Sequence, residues 1–534
     1  MNRRPKVPEQ LFVFAGSLIF FLCTLAANFS GPHDSIGYLN GIITNKDPFH
    51  PHHLLYHFIA HYWLVFSQAL LPGVKDYYLV EIFTALWGSG TMVVVYNFFR
   101  NRFRIPVWQS VISLTVIAFS FGPWFYSVNI EVYAPPIFLL LLALYILTRE
   151  NWQKGDVWKV ALLHVLAILF HQVHALFTVV ILYKLWQQRK NVPFLPSLLQ
   201  YALTGIVLVG GTYFLIGWVL EGHNSLTQWT NWLEGYAQQE AHWKPLNSKT
   251  PLLVATGYSH AFIGGHFVFR LPPVEKYLSR SLSTHSLGDE MYLARHISHS
   301  LAVFLTFLCV VLGIIMLWLV IRFVRRYKTI STAAGKVVTP LMIAGIIYSA
   351  FFTFWMPEIL EFWIFQVVLV WLLLLGALQY GGQGLPPFKG WGPVKPVFIV
   401  AAISLMLFTI NFFGSVRWMQ DLNNDQYYTK IQQVKAAARK DKDIILLQDA
   451  WQLKDFFRYF TDIPVYEAPA VDSLKPAIDK AVNDCLGNGG RVYIYTEATH
   501  YQPQGTVYID SLLKIYEPRK KVLPDAQAKI MVIE

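Results

Sequence analysis

LFVFAGSLIFFLCTLAANFSGPHDSIGYL, residues 11–39, runs from an apolar stretch into a turn that holds one carboxylate, Asp34. A membrane-spanning helix needs about 20 mostly apolar residues, and 11–29 supplies them. Arg3, Arg4 and Lys6 precede the run, which places the N-terminus in the cytoplasm by the positive-inside rule. The small pair Ala26-Ala27 offers a cleavage position. Retention as an anchor is the favoured reading, because chemistry-bearing residues follow at once. Asp34 then stands just outside the membrane. Downstream of it, GIITNKDPFHPHHLLYHFIAH (41–61) adds His50, His52, His53, His57 and His61.

The rest of the chain fits this start. Of 534 residues, 54% are hydrophobic and 14% charged, against about 25% charged in soluble domains. Mean hydropathy is +0.40. Ten further apolar stretches read as spans: 77–99, 106–122, 134–148, 158–170, 175–187, 198–220, 300–323, 338–355, 362–380 and 396–414. Residues 54–71 read as either a twelfth span or an amphipathic helix on the surface, and their histidine and Tyr/Trp content favours the surface helix. With eleven spans, every inside loop is basic: Arg100, Arg102 and Arg104; Arg149, Lys154 and Lys159; Lys184, Arg189 and Lys190; Arg322, Arg325, Arg326 and Lys328; Lys389 and Lys395. These loops account for much of the net charge of +11 without nucleic acid. The same rule splits 157–187 into two spans, since one span there would invert every later loop.

Lys and Arg alone set this topology, yet it gathers Asp34, Asp47, Glu131, Glu358, Glu361 and most histidines on the outer face. The outer segments are 30–76, 123–133, 171–174, 221–299, 356–361 and the tail from 415. In the tail, DIILLQ (443–448), IPVY (463–466) and RVYIYTE (491–497) read as buried strands, with helical patterns at 450–460 and 473–486 between them. Strand–helix alternation predicts a small α/β domain. The expected architecture is an all-α polytopic membrane protein over 1–414, with an extracytoplasmic α/β domain over 415–534. Cys23, Cys309 and Cys485 imply no disulfide framework.

Each candidate site residue has a structural alternative. Asp34 suits a general base whose pKa burial would raise; it is equally placed to cap a helix through IGYLNGII. His53, His57 and His61, at i, i+4 and i+8, would line one face of a helix starting near Pro51. That face could take a transition metal, hydrogen-bond a phosphate, or be a plain polar stripe. HExxH and CxxC motifs are lacking, so no metal ligands are assigned. In FGPWFYSVNIEVYAPPIF (121–138), Trp124, Phe125 and Tyr126 read as an aromatic belt. Glu131 is harder to dismiss, because an acid at the membrane boundary is costly without a partner. His171 and His174 in LFHQVHALF (169–177) are site or turn residues. In WMPEILEFWIF (355–365), Glu358 and Glu361 fall at i, i+3 on one helical face, where the helix dipole also favours acids. The loop 221–299 sets aromatics beside His242, His260, His266 and Arg270, a mixture that suits sugars and phosphates or anionic lipid headgroups.

Taken together, these features resemble the GT-C superfamily of membrane glycosyltransferases, which includes protein O-mannosyltransferases and the aminoarabinose transferases of lipid A. HDSIGYL, FHPHHLLYH, IEVYAPP and LFHQVHALF match, in order, the first-loop acid, an HPPGYPL-type helix start, an AEVY-like turn and a histidine-bearing element. The likeness covers roughly 11–185, weakens to 414 and is absent over the tail. His33 stands where O-mannosyltransferases have the first acid of an Asp-Glu pair, and HPHHLLY replaces HPPGYPL. The resemblance implies inverting transfer of a sugar from a polyprenyl-phosphate donor to a hydroxyl of a protein, lipid or glycan acceptor. Asp34 would be the base. His33, His53, His57, Glu131, Tyr133, His171, His174, Arg270, Glu358 and Glu361 would contact donor or acceptor. It implies a bacterial inner membrane, membrane lipids as partners and no nucleic acid. No cofactor is called for, and a divalent cation is left open. The competing classes are a lipid or small-molecule transporter and an assembly subunit of an envelope glycan pathway.

Overall fold

A computed structural model describes residues 8–150, 152–239, 242–281, 288–380, 395–448, 451–469, 471–496, 503–523 and 530–534. Arg3, Arg4, Lys6 and Lys389 lie outside the described residues. The chain is mostly helical, and each of the eleven expected spans carries a helix. Among the described residues, six helices combine the length and apolarity of a membrane span: Asp76–Arg102, Phe194–Leu220, His299–Thr332, Ala334–Phe354, Leu360–Tyr380 and Pro396–Met419. Glu9–Leu22, Val107–Ala118 and Ala134–Leu147 are apolar but shorter. Lys154–Phe170 and Thr178–Gln187 are separate helices, divided at His171.

Two boundaries depart from expectation for local reasons. The first helix stops at Leu22, not near 29. Beyond it the backbone finds partners across the molecule instead of along a helix: the Ala26 N–H donates to Val128 O at 3.0 Å, and Asn129 Nδ2 donates to Asn28 O at 2.6 Å. The expected loop around Arg322–Lys328 is helical, because the His299–Thr332 helix continues through it. The break comes at Ala334, with φ −132° and ψ 21°. The segment 54–71 forms the helix Tyr56–Leu70. Tyr56, Ala60, Leu64 and Ser67 face inward at helical spacing, while Tyr62, Val65, Phe66 and Leu70 are exposed.

The tail builds a five-stranded sheet from β1 (Ile444–Leu447), β2 (Val465–Glu467), β3 (Val492–Tyr495), β4 (Lys520–Val522) and β5 (Ile530–Ile533). Its order is β2-β1-β3-β5-β4, parallel among the first three and antiparallel at the β3–β5 and β5–β4 pairs. Side chains alternate across the pleat. Ile445, Leu447, Tyr493, Tyr495 and Val532 join the main core shared with the apolar helices. Ile444, Leu446, Val492, Ile494 and Met531 face Ile478, Val482, Ile509 and Leu512. Burial on both faces explains why these strands read as unbroken apolar runs.

The tail also grips the first outer segment. Asp425 accepts from Phe29 N at 2.7 Å, Ser30 N at 2.8 Å and Ser30 Oγ at 2.6 Å. Phe29 packs against Phe456 and Phe460 of the helix Trp451–Phe460. That helix lies along Ser35–Thr44, so the residue after the first turn, Asp34, is held from the far end of the chain.

Candidate active site

Asp34 precedes the helix Ser35–Thr44, but its side chain makes no capping bond. Its carboxylate instead accepts from Tyr38 Oη at 3.4 Å. Burial pushes the carboxyl up to about 6; the Tyr38 hydroxyl pulls down and the neighbouring Asp455 charge pushes further up. His33 occupies the left-handed region at φ 63°, an uncommon conformation for a residue with a Cβ. Gln452 fixes it there, with Nε2 at 2.7 Å from His33 Nδ1 and donating to His33 O at 3.2 Å. Asn40, one helical turn beyond Ile36, donates to Asp455 O at 3.0 Å.

Glu131 and Glu361 lie near enough to Asp34 for the three charges to act on one another. Glu131 is buried; its Oε2 accepts from Val132 N at 3.2 Å and its Oε1 has no partner. Burial, then the charges of Glu361 and Asp34, raise its carboxyl well above the usual range. Glu361 accepts from Tyr133 Oη at 2.7 Å and Tyr126 Oη at 3.1 Å. Three carboxyls from separate segments thus feel one another's charge, and two tyrosines hold one of them.

Histidines adjoin this group. The rings of His53 and His171 meet edge-on at 4.6 Å, and His171 lies 5.4 Å from Tyr133 and 5.5 Å from His174. Both His53 and His171 are buried. Burial, with repulsion among the rings, holds both well below the usual imidazole range. His171 Nδ1 accepts from Val173 N at 3.3 Å. Its proton therefore sits on Nε2, and that buried nitrogen has no partner. His53 Nδ1 is likewise unpartnered. His174 shares a hydrogen bond between Nδ1 and Tyr348 Oη at 3.0 Å.

Beside His171 opens a cavity of about 520 Å³, walled by Tyr213, Trp229, Trp243, Phe351, Trp355 and Phe362 among others. Its lining is mostly apolar, with His52, His171, Gln172 and Glu234 as the polar members. His52 Nε2 is tied to Glu234 O at 3.0 Å.

The remaining expected residues divide. His57 packs on Tyr38, ring centres 5.2 Å apart, one side chain removed from Asp34. His53, His57 and His61 all face the helix Ser35–Thr44, the first two meeting the Tyr38 ring at 6.0 and 5.2 Å. A 3-10 turn at Pro51–His53 ends before the α-helix begins at Tyr56, and His61 Nδ1 turns to Ile42 O at 2.7 Å. Glu358 and Glu361 do not share a helical face: Met356 has φ 42°, and the 3-10 turn begins only at Leu360. Glu358 stays in the preceding turn. Arg270 is exposed at the end of His266–Arg270, where its carbonyl meets His299 Nδ1 at 3.1 Å.

Sequence reasoning missed Tyr38, Tyr126, Gln452 and Asp455. It also missed Glu81, which is fully buried in Asp76–Asn97 with both carboxyl oxygens unpartnered. An acid in the second turn of a span was the available signal for Glu81.

No family model matches the chain, and no curated protein matches it. Solved structures do. ArnT from Cupriavidus metallidurans bound to undecaprenyl phosphate superposes with a TM-score of 0.55 at 11% identity, covering 98% of this chain and 97% of that one. ArnT from the same organism in the apo state gives 0.56 at 10% identity, with the same coverage. The chain therefore has the ArnT fold along nearly its whole length, the fold expected from the GT-C resemblance.

Proposed function

We propose that this integral membrane protein transfers a sugar from a polyprenyl-phosphate donor to an acceptor hydroxyl at the outer face of the membrane. The observation that carries the reading is His171. Its buried Nε2–H lacks an acceptor, and its ring both lines the apolar cavity and packs against Tyr133, which holds Glu361. A ligand with a long hydrocarbon tail and an anionic head satisfies both halves of that arrangement. Undecaprenyl phosphate, to which the similar ArnT structure is bound, has this chemistry.

In the reaction, the prenyl chain occupies the cavity and the phosphate meets His171 Nε2–H and His53. Asp34 takes the acceptor proton as the hydroxyl oxygen attacks the anomeric carbon. The bond from that carbon to the phosphate oxygen breaks, and the lipid phosphate leaves with the electron pair. A single displacement inverts the anomeric centre. Glu361, held by Tyr126 and Tyr133, and Glu131 bind sugar hydroxyls. Residues 1–414 form the membrane unit, with the N-terminus cytoplasmic. Residues 415–534 form an outer unit that positions Asp34 through Gln452.

The test is consumption of a labelled polyprenyl-phosphate sugar in proteoliposomes. Asp34→Asn should slow transfer by about 10²–10⁴-fold, the usual contribution of a general base. A folded variant with near-wild-type turnover removes Asp34 from that role. Movement of donor across the bilayer without its consumption identifies a transporter instead.

A further inference from the structure

We propose that His260, His266 and Glu290 form a binding site for one zinc-class divalent cation, which ties together three pieces of the large outer segment. One ligand atom from each residue lies within 4.8 Å of the others. Tetrahedral zinc with bonds of about 2.0–2.2 Å holds its ligands roughly 3.4 Å apart, so closure asks for side-chain movement on the order of 1 Å.

The backbone is built to make this meeting. His260 sits near the end of the helix Thr250–Phe262, and His266 opens the 3-10 turn His266–Arg270. Gly265, at φ 72°, reverses the chain between them. Gly264 passes so close to Ser415 that a Cβ there would lie 2.3 Å from its Oγ. Asn411 locks the turn, accepting from Gly264 N at 2.9 Å and donating to Phe262 O at 3.0 Å. Glu290 enters from the separate short helix Gly288–Ala294.

The donor atoms are prepared as well. His266 Nδ1 is engaged by Ser415 Oγ at 2.7 Å. Such a partner on one ring nitrogen orients the other toward a metal, here Nε2. His260 Nε2 is buried and has no hydrogen-bond partner. Phe121 stacks on the His260 ring at 5.5 Å and meets the edge of His266 at 5.6 Å, which keeps both rings in place. Two imidazoles and one carboxylate favour zinc, cobalt or nickel over magnesium or calcium.

The site is distinct from the Asp34, Glu131 and Glu361 carboxyls. Phe121 and Phe125, stacked at 5.2 Å, stand between it and Tyr126. It does not depend on the glycosyl-transfer reading. Its role is to close the segment around Ile263–Gly265 against Ser415 and the helix Gly288–Ala294, as a metal staple shortens the freedom of a long loop.

The experiment uses the full-length protein in detergent, purified without a polyhistidine tag and stripped with a chelator. Equilibrium dialysis against Zn²⁺ alone should load one ion per chain and raise the melting temperature. Co²⁺ should give the visible absorption of a tetrahedral site. Glu290→Gln and His260→Gln, near-isosteric changes, should each weaken loading at least tenfold while the apo protein still elutes as a monodisperse species. Absence of stoichiometric loading overturns the proposal. So does full loading in both variants, which would assign the ion to the histidines around His53 and His171.

Discussion

Tyr38→Phe removes the hydroxyl that donates to the proposed base. The ring stays, with its packing on Tyr56 and His57, and only the hydroxyl that donates to Asp34 at 3.4 Å is lost. A hydrogen bond to a charged group contributes about 1.5–3 kcal/mol at good geometry. At this length the bond is near its limit, so about 1 kcal/mol is the fitting magnitude. That energy favours the carboxylate over the acid, and one pH unit corresponds to about 1.4 kcal/mol. Loss of the hydroxyl should therefore raise the Asp34 pKa by about 0.7 from its position near 6. The sign for activity follows from the role. A general base works deprotonated, so kcat/KM in the wild type should fall about tenfold per pH unit below the pKa of Asp34. In Tyr38→Phe that acid limb should move to higher pH, with the plateau retained at alkaline pH. The assay is kcat/KM against pH with a labelled lipid-phosphate sugar. An acid limb that stays in place or moves to lower pH refutes the assignment of Asp34 as base.

Three further outcomes are expected. Asp425→Ala leaves the buried N–H groups of Phe29 and Ser30 without their acceptor; at about 1–3 kcal/mol for each, melting in detergent should drop and limited proteolysis should release the tail. Ala175→Trp narrows the apolar cavity, which Ala175 lines; KM should rise for a long-prenyl donor and change little for a short-prenyl one, read from steady-state kinetics on both. Gln452→Ala removes the contacts that hold His33 in its left-handed conformation; kcat should fall through misplacement of Asp34. In a double-mutant cycle that loss should shrink or vanish in the Asp34→Asn background, since residues acting through one another are not additive.

Several of these elements were legible in the sequence because the bilayer makes charge expensive. Asp34 and Glu131 stand out at the mouths of apolar runs, and their charges act on one another in the folded chain. Tyr126 and Tyr38 were not legible. Aromatics at helix ends read as an interfacial belt, and nothing local says that the Tyr126 hydroxyl points at Glu361. Gln452 was invisible for a different reason. Its partner His33 lies 419 positions away, beyond any periodic pattern. Spacing misled at Glu358, where i, i+3 assumes a helix that the left-handed Met356 delays. At Pro51 a 3-10 turn precedes the helix that carries His57 and His61, yet His53 still faces Tyr38 beside His57.

The placement of the tail explains a tension among the acids. Asp34, Glu131 and Glu361 repel one another when ionised, and Asp455 adds a fourth acid whose charge acts on Asp34. A flexible loop bearing Asp34 would relieve that repulsion by swinging toward water. Instead the segment is fastened at both ends. Asp425 grips Phe29 and Ser30 before it, and Asn40 is bound to Asp455 after it. Gln452 holds His33 between them in a conformation that a free chain would leave. The fold thus spends contacts from the far end of the chain to keep a raised-pKa carboxyl near the other two acids. An arrangement that serves stability alone has no need of this, because a rotated Asp34 would lower the repulsion. A base that must accept a proton from a hydroxyl, beside a donor held in the membrane, does need a fixed direction and a pKa near neutrality.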